Sequence, residues 1–282
     1  MEFKAVMFDF DGTITSPGNY APPQNMVDVL VSVAKKVPIS CCTGRQLESF
    51  EEHALKALIE EIPQHELEGF LENLYLVAEN GAVGYFFNTE LDRFEEYYSV
   101  SWPSHFIERK VLMDTLNEAI KEYGVVYYKK HKIVVVMRTN GHTSGDIRLI
   151  NGLSDEIYEI AKSVLHSFDP NYEEFLHIGN SGIGVVIGPA NGDKDRGVEE
   201  FAKYLATKGL SFSDDAREIL VIGDQPQKGG NDHFFLNGRL GTPYCVGEIP
   251  NGLDFPKPVL DENGKALKHT EGTIYLLEKH FS

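Results

Sequence analysis

The amino-acid sequence predicts an α/β fold: a doubly wound parallel-sheet (Rossmann-like) core with an inserted α+β cap domain. Towards both ends of the chain, short apolar runs alternate with amphipathic segments, which is typical of right-handed βαβ units. In the middle of the chain a helix is followed by two adjacent strands, twice over, and this pattern indicates an α+β module. We therefore expect the core at residues 1–83 and 188–282 and the cap at residues 84–187.

Composition and charge narrow the class of protein. The chain has 282 residues, 42% of them hydrophobic, and a formal net charge of −17. This acidic balance argues against nucleic acid or an anionic membrane as partner, whereas a metal and local cations still permit a small phosphate ester in a cleft. The three cysteines show no disulfide or zinc spacing, and neither a signal peptide nor a membrane span is indicated, so we expect a cytoplasmic protein. The sequence makes no prediction of oligomeric state.

The first apolar run ends in two acidic residues. Phe3–Phe8 is short and rich in β-formers, which predicts a buried strand, and Asp9 and Asp11 follow it with Gly12 and Thr13 behind. In an open parallel sheet, ligands bind beyond the carboxyl ends of the strands. Two close carboxylates repel each other, and Mg²⁺ takes oxygen ligands of this kind. Asp and Gly are also ordinary turn residues, so this stretch alone leaves a solvated turn equally open.

The remaining elements of the core follow the same rhythm. Three predicted strands end in polar residues: Val37–Cys42 before Thr43-Gly44-Arg45, Leu74–Ala78 before Glu79-Asn80-Gly81, and Glu218–Ile222 before Gly223-Asp224. A further short strand is predicted at Tyr244–Val246. Helical spacing predicts helices at Met26–Ala34, Gln46–Glu61, Lys194–Lys208, Asn231–Leu236 and Thr270–Phe281.

The predicted cap contains two helices and five strands. The first strand is Val83–Phe87, and the first helix, Phe106–Tyr123, precedes the strands Val125–Tyr128 and Ile133–Met137. Ser154 is a predicted N-cap for the second helix, which runs to about His166. A hairpin of Phe175–Ile178 and Ile183–Ile187 ends the module.

The polar residues at the strand ends have complementary chemistry. Asp9 and Asp224 on neighbouring loops suit a divalent cation, and the donors of Thr43, Gly44 and Lys194 suit a phosphoryl group beside it. One carboxylate can take the phosphoryl group covalently, while a second acid protonates the leaving oxygen and then activates water. Taken singly, these residues are ordinary helix caps, turn residues or a solvated lysine, and Asn231 and Asp232 equally suit a helix cap. Their joint order along one alternating series of strands and helices favours a shared functional site over these ordinary roles.

At these residues the sequence resembles a known family. The segments Asp9–Thr13, Thr43–Arg45, Lys194 and Gly223-Asp224…Asn231-Asp232 resemble, in order, the four motifs of haloacid dehalogenase superfamily phosphatases. The inserted module and Asn80-Gly81-Ala82 resemble the Cof-type branch of that superfamily. The resemblance implies a Mg²⁺-dependent phosphohydrolase that acts on a small phosphate monoester, expected to be a sugar phosphate, through an aspartyl phosphate.

The resemblance also implies residue roles. Asp9 is the expected nucleophile, and Asp11 is the expected general acid and base. Thr43 and Lys194 complete the expected catalytic set. The expected metal ligands or supports of the metal site are Asp9, Asp11, Asp224 and Asp232, and the expected phosphate-binding residues are Gly44, Arg45, Asn80 and Asn231.

The fourth motif departs from the Cof pattern, because Gln225–Gly230 separates Gly223-Asp224 from Asn231-Asp232. That longer form is similar to eukaryotic-type phosphomannomutases, which lack the Thr-Gly-Arg version of the second motif. A phosphomannomutase-like hexose phosphomutase is therefore one alternative. A phospho-acceptor signalling protein or a sugar-phosphate-binding protein is another. Asp11 and the large insert argue against the signalling protein, and the presence of both Asp9 and Asp11 argues against a binding protein without activity.

Overall fold

The computed structural model describes residues 2–19, 21–137, 147–180 and 184–282. The chain divides into two compact units. Unit 1 comprises Met1–Ser99, Lys194–Lys228 and Asp232–Ser282, and unit 2 comprises Val100–Asp193 and Gly229–Asn231. Within the described ranges, no helix combines the length and apolar character needed to cross a membrane.

Strands and helices alternate along most of the described chain. The strands are β1 Ala5–Phe8, β2 Ile39–Cys42, β3 Leu74–Ala78, β4 Val83–Asn88, β5 Arg93–Ser99, β6 Gly124–Tyr128, β7 Ile133–Met137, β8 Leu176–Asn180, β9 Gly184–Pro189, β10 Ile219–Gly223, β11 Thr242–Cys245 and β12 Lys257–Pro258. The helices are α1 Gln24–Ala34, α2 Leu47–Phe50, α3 Lys56–Glu60, α4 Gln64–Glu72, α5 Arg109–Ala119, α6 Ile147–Phe168, α7 Lys194–Thr207, α8 His233–Leu236 and α9 His269–Phe281.

Unit 1 is built on one mostly parallel sheet. Among the described residues its strand order is β12-β11-β10-β1-β2-β3-β4-β5, and only β4 runs antiparallel to the other strands, pairing with β3 on one side and β5 on the other. Phe8 of β1 pairs with Ile222 of β10 and with Cys41 of β2. Because these parallel strands are nearly in step, the residues that follow them emerge at one edge of the sheet. The register therefore explains why Asp9, Thr43 and Asp224 are neighbours.

Both faces of this sheet are buried, which is why its strands are continuous apolar runs. Val6 and Phe8 face a cluster that includes α1 and α9, while Ala5 and Met7 face a cluster that includes Val198 and Phe201 of α7. The α/β class predicted from the sequence, with a mostly parallel sheet and a separate antiparallel sheet, is confirmed.

The two units differ from the predicted division at both boundaries. Strands β4 and β5 extend the core sheet, so unit 1 continues to Ser99 rather than ending at residue 83, and it resumes at Lys194 rather than residue 188. The predicted helix Gln46–Glu61 is interrupted by a π-helical segment at Glu51–Leu55. Helix α4 and strands β5 and β12 were not predicted.

Unit 2 contains an antiparallel sheet of order β6-β7-β9-β8 among the described residues. Leu112 and Leu116 of α5 and Ile157 and Leu165 of α6 belong to the same buried cluster as the inward side chains of this sheet. The predicted N-cap Ser154 is wrong, because α6 already begins at Ile147 and the Ser154 hydroxyl instead donates to Asn180 Oδ1 at 2.5 Å. Ile183, the predicted start of a strand, lies outside the described residues.

Candidate active site

Lys194 is the centre of the candidate site in unit 1. Its side chain is only 1% exposed, although lysine is almost never fully buried unless it is paired. The ammonium group donates to Asp9 Oδ1 at 2.7 Å, to Asp232 Oδ1 at 2.6 Å and to the carbonyl oxygen of Cys42 at 3.0 Å. These three acceptors match the three hydrogens of the ammonium group, so its charge and its donors are both compensated.

Asp9 lies at the carboxyl end of β1 and is almost fully buried. Its backbone N–H donates to the carbonyl oxygen of Ile222 at 2.8 Å, which continues the pairing of β1 with β10 by one residue. The backbone position of Asp9 is thus fixed by the sheet and its carboxylate by Lys194. Such a carboxylate is held in one orientation, as a nucleophile that attacks in line requires.

Asp232 connects Lys194 to the loop that carries Asp224. While Oδ1 of Asp232 accepts from Lys194, Oδ2 accepts from the backbone N–H groups of Asp224 at 2.9 Å and Gln225 at 3.1 Å. Because both of its oxygens are engaged within the protein, this carboxylate is better suited to supporting a metal site than to ligating the ion.

Burial shifts the protonation equilibria of these groups. Desolvation raises the pKa of Asp9 to about 7, and Lys194 opposes this rise. Desolvation, with the neighbouring charges of Asp232 and Asp9, raises the pKa of Asp224 to about 9. Burial disfavours the charge of Lys194, but Asp232 and Asp9 outweigh that effect and hold the pKa of the ammonium group above its ordinary value. The lysine is therefore charged, and the site carries more acidic groups than it can neutralise.

This acidic surplus fits a divalent cation. Asp9, Asp224 and Asp232 each offer an oxygen within 4.8 Å of the others. Oδ1 of Asp224 is buried and has no hydrogen-bond partner within the described part of the chain, whereas buried polar atoms are normally satisfied. An all-oxygen set with one unsatisfied carboxylate oxygen suits Mg²⁺.

Gly12 permits the close approach of Asp224. A Cβ atom at Gly12 would lie 2.5 Å from Asp224 Oδ2, and the backbone of Gly12 has a φ of +82°. Both the left-handed conformation and the missing side chain are therefore required where the two acidic loops meet.

The segment Thr43–Arg45 packs against the turn after β3. The N–H of Asn80 donates to the carbonyl oxygen of Thr43 at 3.0 Å, and the N–H of Glu79 donates to that of Arg45 at 2.9 Å. Asn80 has a φ of +60°, and its buried Oδ1 has no partner among the described residues. A Cβ at Gly44 would lie 2.9 Å from that oxygen, so only glycine fits beside the amide group of Asn80. Thr43, Gly44, Arg45 and Asn80 thus form one polar cluster.

Asp11 and Arg45 form a two-point ion pair. Arg45 Nη2 lies 2.6 Å from Asp11 Oδ1, and Arg45 Nε lies 3.1 Å from Asp11 Oδ2. The side chain of Asp11 is 50% exposed, in contrast to that of Asp9, which is 5% exposed. The two aspartates therefore point into different environments, one buried against a lysine and one at the surface against an arginine.

Some contributions to the site have no sequence signal. The Cys42 carbonyl and the Gln225 amide act through the backbone, and a backbone group can be anticipated only once the strand register is known. His269 and Thr273 contact the Asp9–Thr13 loop from α9. Asn231 falls in unit 2, so its predicted phosphate-binding role stays a prediction.

Comparison with solved structures finds similar folds over the whole chain. An IMP-bound IMP-nucleotidase of Plasmodium falciparum matches 99% of this chain with a TM-score of 0.63 and 16% identity, and the match spans 68% of that protein. A haloacid dehalogenase-like hydrolase of Bacteroides thetaiotaomicron matches 99% of this chain and 100% of its own, with a TM-score of 0.61 and 13% identity. The chain has a haloacid dehalogenase-like fold.

A third similar structure is described as showing a trigonal-bipyramidal intermediate in a phosphoryl-transfer superfamily. It matches 100% of this chain and 99% of its own, with a TM-score of 0.64 and 18% identity. No protein-family model and no curated protein sequence matches the chain. At identities this low the likeness concerns the fold, and the chemistry must be argued from the site itself.

Proposed function

We propose that this protein is a Mg²⁺-dependent phosphohydrolase that cleaves a small phosphate monoester through a phosphorylated aspartate. The observation that carries the proposal is the buried Lys194 ammonium group, which joins Asp9 and Asp232 beside the unsatisfied oxygen of Asp224. A nucleophilic carboxylate, a fixed cation and an acidic metal cluster are the parts that phosphoryl transfer through an aspartate needs.

The first chemical step is transfer to Asp9. A carboxylate oxygen of Asp9 attacks phosphorus, and the bond from phosphorus to the ester oxygen breaks. The leaving oxygen takes a proton from the carboxyl group of Asp11. Lys194 and the donors of Thr43 and Gly44 stabilise the charge on the phosphoryl oxygens. The product of this step is an aspartyl phosphate and a free alcohol.

The second step is hydrolysis of the aspartyl phosphate. Asp11, now a carboxylate, takes a proton from a water molecule, whose oxygen attacks phosphorus. The bond from phosphorus to Asp9 breaks, and inorganic phosphate and free Asp9 result. Acid and base catalysis by one residue in consecutive steps is a consistent cycle, because the second step restores the proton that the first removed.

Arg45 must release Asp11 before this cycle can start, because both carboxylate oxygens of Asp11 accept hydrogen bonds from the guanidinium group instead of facing the leaving oxygen. An incoming phosphate ester supplies another acceptor with the same two-point geometry. In this proposal, substrate binding transfers Arg45 from Asp11 to the phosphoryl group and so prepares the general acid.

The residues that would hold Mg²⁺ are Asp9, Asp224 and the backbone carbonyl of Asp11, with Asp232 as their support. The ion supplies charge neutralisation at the phosphoryl oxygens.

We further propose a sugar phosphate as substrate and a cytoplasmic location. The sugar phosphate rests on the resemblance of the four motifs. The similarity in fold to an IMP-nucleotidase makes nucleoside monophosphates the comparison class. A hexose phosphomutase remains the second candidate, favoured by the segment Gly229–Asp232.

Burial of Cys41, Cys42 and Cys245, with no disulfide formed within the described residues, supports a reducing compartment.

A phosphate-release screen tests the proposal. Sugar phosphates and nucleoside monophosphates are supplied with and without Mg²⁺ to the native protein and to Asp9→Asn. Release that requires both Mg²⁺ and Asp9 is expected. Interconversion of hexose 1- and 6-phosphates on addition of a hexose bisphosphate, without net release, would instead establish the mutase. If neither reaction occurs, the enzymatic proposal is wrong, and a binding or signalling role takes its place.

A further inference from the structure

The first residue of α9 contacts the loop that follows the two candidate catalytic aspartates, Asp9 and Asp11. The Nδ1 atom of His269 lies 2.7 Å from the carbonyl oxygen of Gly12. A carbonyl oxygen can only accept a hydrogen bond, so Nδ1 carries the hydrogen and donates it. One helical turn later, the buried hydroxyl of Thr273 donates to the carbonyl oxygen of Thr13 at 2.9 Å. Two consecutive carbonyl groups of the loop are thus held from one helix.

We propose that His269 is a positioning residue that fixes the Gly12 peptide and thereby aligns the loops that carry Asp11 and Asp224. This inference rests on the proposed metal-dependent function. It assigns a role to a residue far from the four motifs, separated from Gly12 by 257 positions in the sequence.

The backbone of His269 reaches the second acidic loop. Its N–H donates to the carbonyl oxygen of Val246 at 2.8 Å, and the N–H of Val246 donates to the carbonyl oxygen of Gly223 at 2.9 Å. Gly223 directly precedes Asp224 in the sequence. His269 therefore holds the Gly12 loop through its ring and the Asp224 loop through its backbone.

The backbone of His269 is held in an uncommon conformation by the contacts on either side of it. Its φ is +50°, in the left-handed region that only a few per cent of non-glycine residues adopt, Asn, Asp and His more often than the others. Such a conformation persists only where neighbouring contacts determine it. Here the hydrogen bonds to Gly12 and Val246 lie on either side of the strained residue.

Gly12 transmits the constraint to the metal site. Its carbonyl oxygen faces His269, and its α-carbon faces Asp224 so closely that a Cβ would lie 2.5 Å from Oδ2. A rotation of the Gly12 peptide would therefore move the loop against the carboxylate of Asp224. Because close-packed groups of this kind cannot shift independently, loss of the His269 hydrogen bond should loosen the site for the cation.

Two substitutions separate the ring hydrogen bond from the backbone strain. His269→Gly keeps the left-handed backbone but removes the donor. His269→Asn keeps a donor at a position similar to Nδ1 and is also compatible with positive φ. His280→Asn is the matched control, since His280 is an exposed histidine on the same helix. Thr273→Val tests the second hydrogen bond without a change in backbone.

The readout is the Mg²⁺ concentration that gives half of the maximal thermal shift, which needs no substrate. We expect His269→Gly to raise this concentration by about 10-fold or more, the size found when residues supporting metal ligands are lost. In His269→Asn this Mg²⁺ concentration should return to within about 3-fold of the native value. Thr273→Val should raise the concentration less than His269→Gly does, and His280→Asn should leave it unchanged. Equal values for His269→Gly and the native protein, or for His269→Gly and His269→Asn, would overturn the proposal.

The same series separates this inference from the proposed function. If the native protein binds Mg²⁺ but releases no phosphate from any ester, the phosphohydrolase proposal fails while the Mg²⁺ comparison can still be read. If the native protein shows no Mg²⁺-dependent shift, the positioning role itself is wrong.

Discussion

The ammonium nitrogen of Lys194 lies 2.7 Å from a carboxylate oxygen of Asp9, a residue 185 positions earlier in the chain. Both side chains are almost fully buried, so neither charge is solvated by water. Each group is tolerable there only because the other is present, together with Asp232. The same pair that stabilises the fold at this point is also the proposed nucleophile and its charge partner.

Replacing Lys194 should therefore damage both activity and stability. In Lys194→Met, phosphate release should fall by about 100-fold or more, because the fixed positive charge that holds Asp9 and lies beside the phosphoryl oxygens is lost. The free energy of unfolding should fall by about 3–5 kcal/mol, because Asp9 and Asp232 are left buried without their cation. Kinetic assays and urea denaturation measure the two effects.

Lys203→Met is the matched control for this prediction. Lys203 lies on the same helix, is 54% exposed and pairs with Glu199 and Glu200 at the surface. Its loss should change stability by at most about 1 kcal/mol and leave activity intact. Equal effects of the two substitutions would contradict the role given to Lys194.

Gly12 should not tolerate a side chain, for a reason that Gly18 does not share. Both glycines lie on the loop after β1 with φ near +80°, at +82° and +81°. A Cβ at Gly12 would meet Asp224, whereas a Cβ at Gly18 would meet nothing within 4 Å in the part of the chain that the structure describes. Both alanine variants should lose about 1–2 kcal/mol through backbone strain, but only Gly12→Ala should weaken Mg²⁺ binding. A normal Mg²⁺ titration of Gly12→Ala would count against the close approach of the two loops.

Without Mg²⁺, the stability of the protein should depend on the protonation of Asp224. Burial first, and then Asp232 and Asp9, raise the pKa of Asp224 from 3.8 to about 9 in the folded state. The folded state therefore binds this proton more tightly than the unfolded state, and the associated stability is present below pH 4 and lost as the pH rises towards 9.

Asp224→Asn removes this titration. Its free energy of unfolding, relative to the native protein in a metal chelator, should increase between about pH 5 and about pH 9. Excess Mg²⁺ should reduce the difference, because the cation pairs with the native carboxylates. Denaturation curves at several pH values measure it. If this difference in the free energy of unfolding stayed constant or shrank with rising pH, the raised pKa of the buried Asp224 carboxyl group would be contradicted.

Arg45 should contribute to substrate binding although it contacts Asp11 in the structure. Arg45→Ala removes two charge-assisted donors, and kcat/KM should fall by about 10- to 100-fold, mainly through KM. Steady-state kinetics with p-nitrophenyl phosphate provide the test. If Arg45→Ala instead raised kcat without changing KM, the arginine would only restrain Asp11, and its transfer to the phosphoryl group would be wrong.

The sequence located the candidate site because polar residues at the ends of parallel strands share one edge of the sheet. Asp9, Thr43 and Asp224 follow strands that the structure aligns, and Lys194 begins a helix beside them. The sequence did not predict that β4 and β5 extend the core sheet. A two-stranded antiparallel extension has the same local pattern as the first strands of a separate module.

Contacts between residues that lie far apart in the sequence could not be predicted either. The hydrogen bonds of His269 to Gly12 and Val246 join segments that have no shared pattern, and the donor is a single histidine. The ion pair of Asp11 with Arg45 depends on side-chain orientation at two strand ends. Strand order and register must be known before such contacts can be enumerated.

The central claim is that Asp9 carries the phosphoryl group, and trapping that group tests it most directly. Asp11→Asn is mixed with p-nitrophenyl phosphate and Mg²⁺, because p-nitrophenolate leaves without a proton while hydrolysis still lacks its base. After acid quenching and proteolysis, mass spectrometry should find a phosphoryl group on Asp9 that hydroxylamine removes and that Asp9→Asn in the same background lacks. A phosphoryl group on another residue, or full turnover by the single variant Asp9→Asn, would contradict the account.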